Sequence, residues 1–223
     1  MVARELISDT VPSLKTSDPV RLVLEWMNEF KVNQLPVVNN EELLGLVSED
    51  DLLDLDDEDM AIGAVRLSLP QETFVYEDSH SFEVIRMASL LRLDVLPVLQ
   101  SKDNHYLGII TKKDIVEHAG YLLNANEPGG IIVLEVSQNS YHLSEIARIC
   151  ESNDAKILNL TVANSRIDPS KLHISIKLNI RELSRVLATF ERFEYTVTHF
   201  VMDARQNEYY QEQYESLIRY LNL

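Results

Sequence analysis

Leu35-Pro36-Val37-Val38, followed after a short polar turn by Gly45-Leu46-Val47-Ser48-Glu49-Asp50-Asp51-Leu52-Leu53, occurs twice in this chain. The second occurrence reads Leu96-Pro97-Val98-Leu99 and then Gly108-Ile109-Ile110-Thr111-Lys112-Lys113-Asp114-Ile115-Val116. The offset is 61 residues for the first half of the pattern and 63 for the second, because the turn at Asn39 to Glu42 is two residues longer in the second copy. A repeat of this length means one supersecondary unit used twice, and it fixes the fold class before any single element is assigned. Working outward, Asp18-Pro19 opens an amphipathic helix with Val20, Val23, Leu24 and Met27 on one face, and Ser79 opens another carrying Phe82, Ile85 and Met87. Short apolar pairs, Ser13-Leu14 and Phe74-Val75, precede them. Each copy is therefore predicted as strand, helix, strand, turn, strand and second helix, an α/β unit.

Leu-Pro-Val-Val, a hairpin and Gly-hydrophobic-x-Ser/Thr-x-x-Asp-hydrophobic, present twice about 60 residues apart, resemble a tandem pair of cystathionine-β-synthase (CBS) domains. The resemblance covers about residues 1 to 120, with repeat 1 expected over 1–60 and repeat 2 over 61–126. It implies a disc-like module, the Bateman module, that often pairs into dimers, binds adenosine nucleotides between repeats and regulates rather than catalyses. It also implies roles: the Ser or Thr hydroxyl contacts phosphate and the Asp accepts from ribose hydroxyls, which here designates Ser48 with Asp51 and Thr111 with Asp114. The ligand class so implied is AMP, ATP or S-adenosylmethionine.

The chemistry of the motif admits two readings. Where a strand ends and a helix begins, backbone N–H groups and the positive end of the helix dipole favour an anion. Ser/Thr-x-x-Asp is equally close to a capping box, in which hydroxyl and carboxylate satisfy the first helical N–H groups and bind nothing. The intervening residues separate the two copies. Glu49 and Asp50, with Asp54, Asp56, Asp57, Glu58 and Asp59 following, would repel a phosphate at Ser48, whereas Lys112 and Lys113 would attract one at Thr111. Residues 49–59 hold eight acids in eleven positions. Such a run is read as a solvated face, or else as a binder of Mg²⁺ or Ca²⁺, though it lacks the glycine that an EF-hand loop needs.

Net charge is -16, from 20 Lys+Arg against 36 Asp+Glu, which excludes a general phosphate-backbone binder and so nucleic acid. The acidity lies mostly in the first half: residues 1–120 carry 10 basic and 23 acidic side chains. No apolar run approaches the roughly 18 residues of a spanning helix, so no membrane insertion is expected. Cys150 is the only cysteine. With no disulfide possible within the chain and no secretory signal, a cytoplasmic location is expected. Phosphate-loop, nucleophile-elbow and zinc-protease motifs are absent, the six histidines show no ligand spacing, His118 is expected at the surface or as a partner of a helix C-terminal dipole, and Cys150 in a core. The chain is accordingly expected not to be an enzyme, with neither a catalytic residue nor a metal ligand assigned.

Beyond Glu127-Pro128-Gly129-Gly130, where a boundary is expected, the pattern changes to strand (Ile131 to Val136), helix (Tyr141 to Ser152), strand (Lys156 to Val162), strand (Leu172 to Leu178), helix (Arg181 to Phe193) and strand (Tyr195 to Met202). Leu143, Ile146, Ala147 and Cys150 mark one helix face, and Leu183, Val186, Leu187 and Phe190 the other. This βαββαβ order is the ferredoxin-like split motif. Attached to a CBS pair, residues 127–205 resemble an ACT domain, similar to the acetoin-utilisation type of CBS-ACT protein. The stretch from Ser137 to His142 lacks the glycine with which amino-acid-binding ACT domains approach their ligand, so a dimerising role through a sheet edge is expected. Residues 206–223 carry Tyr210, Tyr214, Leu217 and Leu221 at helical spacing and read as an amphipathic terminal helix. The whole is expected to be a homodimeric sensor of an adenosine nucleotide, joined through the CBS pair, the ACT-like domain or both, and acting on an unidentified protein. The alternatives are a nucleotide-free dimeric scaffold and a divalent-cation sensor using the 49–59 run.

Overall fold

Proline fixes the entry to the first helix. Pro19 stands in extended backbone as the N-cap of α1 (Val20–Phe30), where its missing N–H costs nothing. The helix ends at Lys31, a left-handed residue with φ 56° whose N–H reaches Met27 O. In the second copy α3 (Ser81–Leu91) ends the same way at Arg92, φ 53°, bonded to Ala88 O. The computed structural model that shows this describes residues 1–65, 67 and 73–202. It divides the chain into two compact units, Met1–Ala119 and Gly120–Leu223.

In the first unit β1 (Gln34–Asn39) pairs antiparallel with β2 (Glu42–Ser48). β3 (Val75–Tyr76) runs parallel to β4 (Val95–Leu99), which pairs antiparallel with β5 (Tyr106–Thr111). The hairpins carry the same irregularity. A bulge follows Val37, which faces Gly45, and another follows Val98, which faces Gly108. These glycines have φ of +147° and +150°, a backbone that side chains rarely adopt, and their missing Cβ makes room for Leu67 in one copy and Ile7 in the other. Each hairpin leads directly into a helix, α2 (Glu49–Leu53) or α4 (Lys112–Leu122). The strand expected at Ser13-Leu14 is reduced to one parallel bridge, Leu14 to Val37, equivalent to the Val75 to Val98 pair of the second copy.

One core holds both copies together. Leu35, Leu46 and Val47 are buried in the same cluster as Leu96, Ile109 and Ile110, each contributing about 1.5–3 kcal/mol by leaving water. Two expectations are corrected here. The buried face of α3 is Ser81, Val84 and Ala88, while Phe82 is 67% exposed. The Phe82 ring instead meets His80 edge to face, with centroids 4.9 Å apart.

The other correction is His118, which is buried. Burial pushes its pKa below the ordinary imidazole value; the N-terminal amine and His80 act in the same direction, and Glu5 opposes them. A depressed imidazole pKa means that the unfolded chain binds the proton more readily than the folded one. Its stabilising contribution is complete above about pH 6.5 and falls as pH drops below that value. Urea midpoints are expected to decline from about pH 7.5 to 5.5, and to decline less in His118→Leu. An equal decline in both proteins would remove His118 as the cause.

In the second unit β6 (Ile131–Ser137), β7 (Ile157–Asn164), β8 (Lys171–Leu178) and β9 (Thr196–Val201) form one antiparallel sheet in the order β7-β8-β6-β9. With α5 (Leu143–Glu151) and α6 (Ser184–Arg192) inserted after β6 and β8, this is the ferredoxin-like arrangement. Alternation places Ile132, Leu134 and Val136 with Ile174, Ile176 and Leu178 in a core shared with Ile146, Ile149, Val186 and Phe190. Leu143, expected on the buried face of α5, is 51% exposed, and Ile149 takes its place. The helix expected over 206–223 lies outside the described residues. Among those described, no helix is long and apolar enough to cross a membrane.

Candidate functional site

The two Ser/Thr-x-x-Asp motifs lie where expected, at the passage from β2 to α2 and from β5 to α4, and both close on themselves. Ser48 Oγ donates to Asp51 Oδ2 at 2.5 Å, Ser48 N donates to the same oxygen at 3.1 Å, and Asp51 N donates back to Ser48 Oγ at 3.3 Å. In the second copy Thr111 Oγ1 and Thr111 N donate to Asp114 Oδ2 at 2.5 and 2.9 Å, and Asp114 N donates to Thr111 Oγ1 at 3.2 Å. These are capping boxes in full. Capping still leaves chemistry unspent: the bonds to Asp114 from Thr111 all fall on Oδ2, and its other oxygen, Oδ1, can accept from a ligand hydroxyl.

The orphan N–H groups of the two helix starts are accounted for in parallel. Glu49 N donates to Asn33 O at 2.9 Å, and Lys112 N donates to Asp94 O at 2.8 Å. The N–H groups of Asp51 and Asp114 are taken by the boxes. Between them stand Asp50 and Lys113, at the position of a helix start that offers the N–H no partner of its own. At the second start, then, the remaining donor belongs to an exposed cation, and at the first to an exposed anion. Lys112 is partly neutralised, its Nζ 3.6 Å from Asp94 Oδ1. The helices differ as well, since α2 is five residues long and α4 eleven. A longer helix presents more aligned peptide dipoles to an anion at its start.

Two contributors have no counterpart in the motif. Asp94 ties the copies together: its Oδ2 accepts from Asn33 N at 3.1 Å, and its own N–H donates to Gln34 Oε1 at 3.0 Å. Ser8 joins β5 from the N-terminal segment, its N–H donating to Ile109 O at 2.8 Å, two residues before Thr111. Asn33 and Asp94 are 61 apart, the offset of the repeat, so a signal for the first contributor was present in the sequence. The pairing of Ser8 with Ile109 has no local signal at all.

The acidic run does not gather into a binding site: among the described residues no group of three or more His, Cys, Asp or Glu is placed to hold a metal ion. Its far end is instead turned onto α1, where Arg21 N donates to Glu58 O at 2.9 Å and the Arg21 guanidinium meets Asp59 Oδ1 at 3.4 Å. Cys150 is fully buried, and burial pushes its thiol up to about 11. A thiol so held is not a nucleophile near neutral pH.

A family model described as CBS domain matches the chain twice, over residues 3–58 and 68–121. Among curated proteins, inosine-5'-monophosphate dehydrogenase of Methanocaldococcus jannaschii is 22% identical over 151 residues, which is 67% of this chain. The chain spans about 30% of the length of that relative. Among solved structures, a CBS domain pair/ACT domain protein from Thermotoga maritima is similar with a TM-score of 0.50 and 25% identity, covering 55% of this chain and 99% of its own. CBSX2 in complex with AMP is similar with a TM-score of 0.45 and 24% identity over 53% of this chain and 95% of its own.

Proposed function

The chain is a tandem CBS-domain protein, and on that premise we propose that it is a non-catalytic regulatory sensor that binds an adenosine nucleotide in the cleft at Thr111 and Asp114. The single observation that carries this reading is the contrast between two helix starts capped in the same way: the remaining N–H donor sits on Lys113 in one and on Asp50 in the other. A phosphate at the start of α4 takes the Lys113 N–H with the lysine charge beside it, and Asp114 Oδ1 accepts from a ribose hydroxyl. Lys112 neutralises Asp94 more than it serves the ligand. Ser48 and Asp51 form the weaker, second cleft, where like charge opposes an anion. The reading divides the chain into repeats 1–60 and 61–126, an ACT-like domain at 127–205 and a terminal helix at 206–223. It includes a homodimer joined through one or both of these parts, in the cytoplasm, with a regulated protein as partner. Ligand acts by favouring one arrangement of repeats or subunits, which requires unequal affinity for the two.

A nucleotide-free scaffold is the second reading, favoured by the completeness of the capping boxes, since neither motif needs a ligand to satisfy its hydrogen bonds. Calorimetric titration of the purified protein with AMP, ATP and S-adenosylmethionine separates the two, together with mass spectrometry of small molecules that copurify. The sensor reading expects binding at micromolar concentration by at least one of the three. No heat with any of them, and nothing copurifying, leaves the scaffold.

A further inference from the structure

Leu53 and Val116 are 64% and 66% exposed, and they stand 63 residues apart, the offset of the repeat. Each comes directly after a residue packed in or against the core, Leu52 or Ile115. The repeat thus sets a large apolar side chain on the surface at the same place in both copies. The charges around it have changed sign. Leu53 is flanked by Glu49, Asp50 and Asp54, and Val116 by Lys112, Lys113 and Glu117. Both helices start from one seam: Glu49 N donates to Asn33 O at 2.9 Å, Lys112 N to Asp94 O at 2.8 Å, and Asn33 N to Asp94 Oδ2 at 3.1 Å. An acidic and a basic patch, each around an exposed apolar residue, therefore flank that seam in the first unit.

We propose that this rim docks a second copy of the chain head to tail, Leu53 of each copy meeting Val116 of the other. In a two-fold dimer the contact of one residue with a second implies the reverse contact, so both apolar pairs form together. Charge complementarity selects the occupant and its orientation. Head to tail, Lys112 and Lys113 of one copy approach Glu49, Asp50 and Asp54 of the other, and the match occurs twice. Head to head, acids oppose acids and lysines oppose lysines, which costs free energy on contact. A chain of net charge -16 repels its own copies in general, and only the first orientation sets its basic patch against that repulsion. The two apolar side chains then leave water at the centre of a charged rim. The inference rests on the homodimeric reading and is independent of any nucleotide.

The test uses the full chain at low salt without nucleotide. Ultracentrifugation of the wild type is expected to show a dimer. Asp50→Lys with Asp54→Lys, or Lys112→Glu with Lys113→Glu, is expected to weaken it by about tenfold or more, and the chain carrying all four to recover to within about threefold of wild type. Single cysteines read the orientation. Leu53→Cys and Val116→Cys proteins, treated with a short bismaleimide, are expected to cross-link when mixed and not when alone, Cys150 staying silent because its thiol is buried. A wild-type chain that stays monomeric overturns the homodimer and this inference together. A wild-type dimer in which Leu53→Cys links to itself, or whose strength the charge reversals leave unchanged, overturns this inference alone.

Discussion

Gly129→Ala is expected to unfold the second unit, at a loss of about 3 kcal/mol or more. Gly129 has φ +154°, and a Cβ built there would stand 1.9 Å from Leu178 O and 3.0 Å from the same carbonyl carbon. The obstacle is backbone, so no rotamer change relieves it. It lies at the seam where the sheet is closed: Leu178 N donates to Gly130 O at 2.9 Å, and Gly130 N donates to Ile180 O at 2.7 Å. Moving Gly129 away from Leu178 pulls the start of β6 from the end of β8, and Ile132 and Leu178 leave the core with them. Gly120→Ala supplies the control. Gly120 lies in α4 with nothing within 4 Å of the position of a Cβ, so alanine there is expected to be neutral or to stabilise by about 0.5–1 kcal/mol. Amide exchange of β6 and β8 measures the effect in the unit where it arises, without assuming one transition for the whole chain. A Gly129→Ala protein whose β6 amides remain protected to within about 1 kcal/mol of wild type would mean that the seam can open without loss, contrary to the geometry.

The same glycine shows what kind of information the sequence carries. Proline followed by paired glycine marks an interruption, and it is visible on inspection; that Gly129 is required by a carbonyl 49 positions later is not, because the contact depends on the register of β6 on β8. The repeat was legible for the opposite reason. Each of its features is local: the proline-bearing strand, the glycine at the bulge, and the hydroxyl and carboxylate at the helix start all lie within a few residues of each other, and duplication removes chance. Helix faces were less legible. Reading every large apolar residue as inward placed Phe82 and Leu143 in cores where the structure has Ser81, Ala88 and Ile149. Inward positions are set by how near a helix lies to its sheet, and a close approach selects small side chains over large ones. The burial of His118 had no local signal either, since the charges that act on it, the N-terminal amine, Glu5 and His80, stand far from it in the chain. As to the candidate site, the four motif residues could be named from the chain alone. Ser8, arriving from the N-terminal segment, could not.

The near-equality of the two motifs provides its own control for the binding test. Asp114→Ala removes a capping carboxylate, and so does Asp51→Ala; with the same two hydrogen bonds to the carboxylate lost from each box, and the backbone N–H bond to the hydroxyl retained, each is expected to cost about 1 kcal/mol of stability in the first unit. Whatever differs between the two variants is then due to the ligand and not to the cap. For Asp114→Ala the affinity for AMP is expected to fall by about a hundredfold, equivalent to about 2.7 kcal/mol, because the ribose acceptor is lost and the start of α4 is loosened together. For Asp51→Ala it is expected to change by less than about threefold. Charge is tested separately. Lys113→Glu gives the second helix start the sign of the first, and is expected to weaken AMP by about tenfold at low salt and by less at high salt, since an exposed charge is screened. Adenosine, which has no phosphate, is expected to be indifferent to Lys113→Glu and sensitive to Asp114→Ala. Equal losses for Asp51→Ala and Asp114→Ala would show that both clefts bind, or that capping alone governs affinity. In either case the charge of Lys113 would no longer explain which motif the nucleotide chooses.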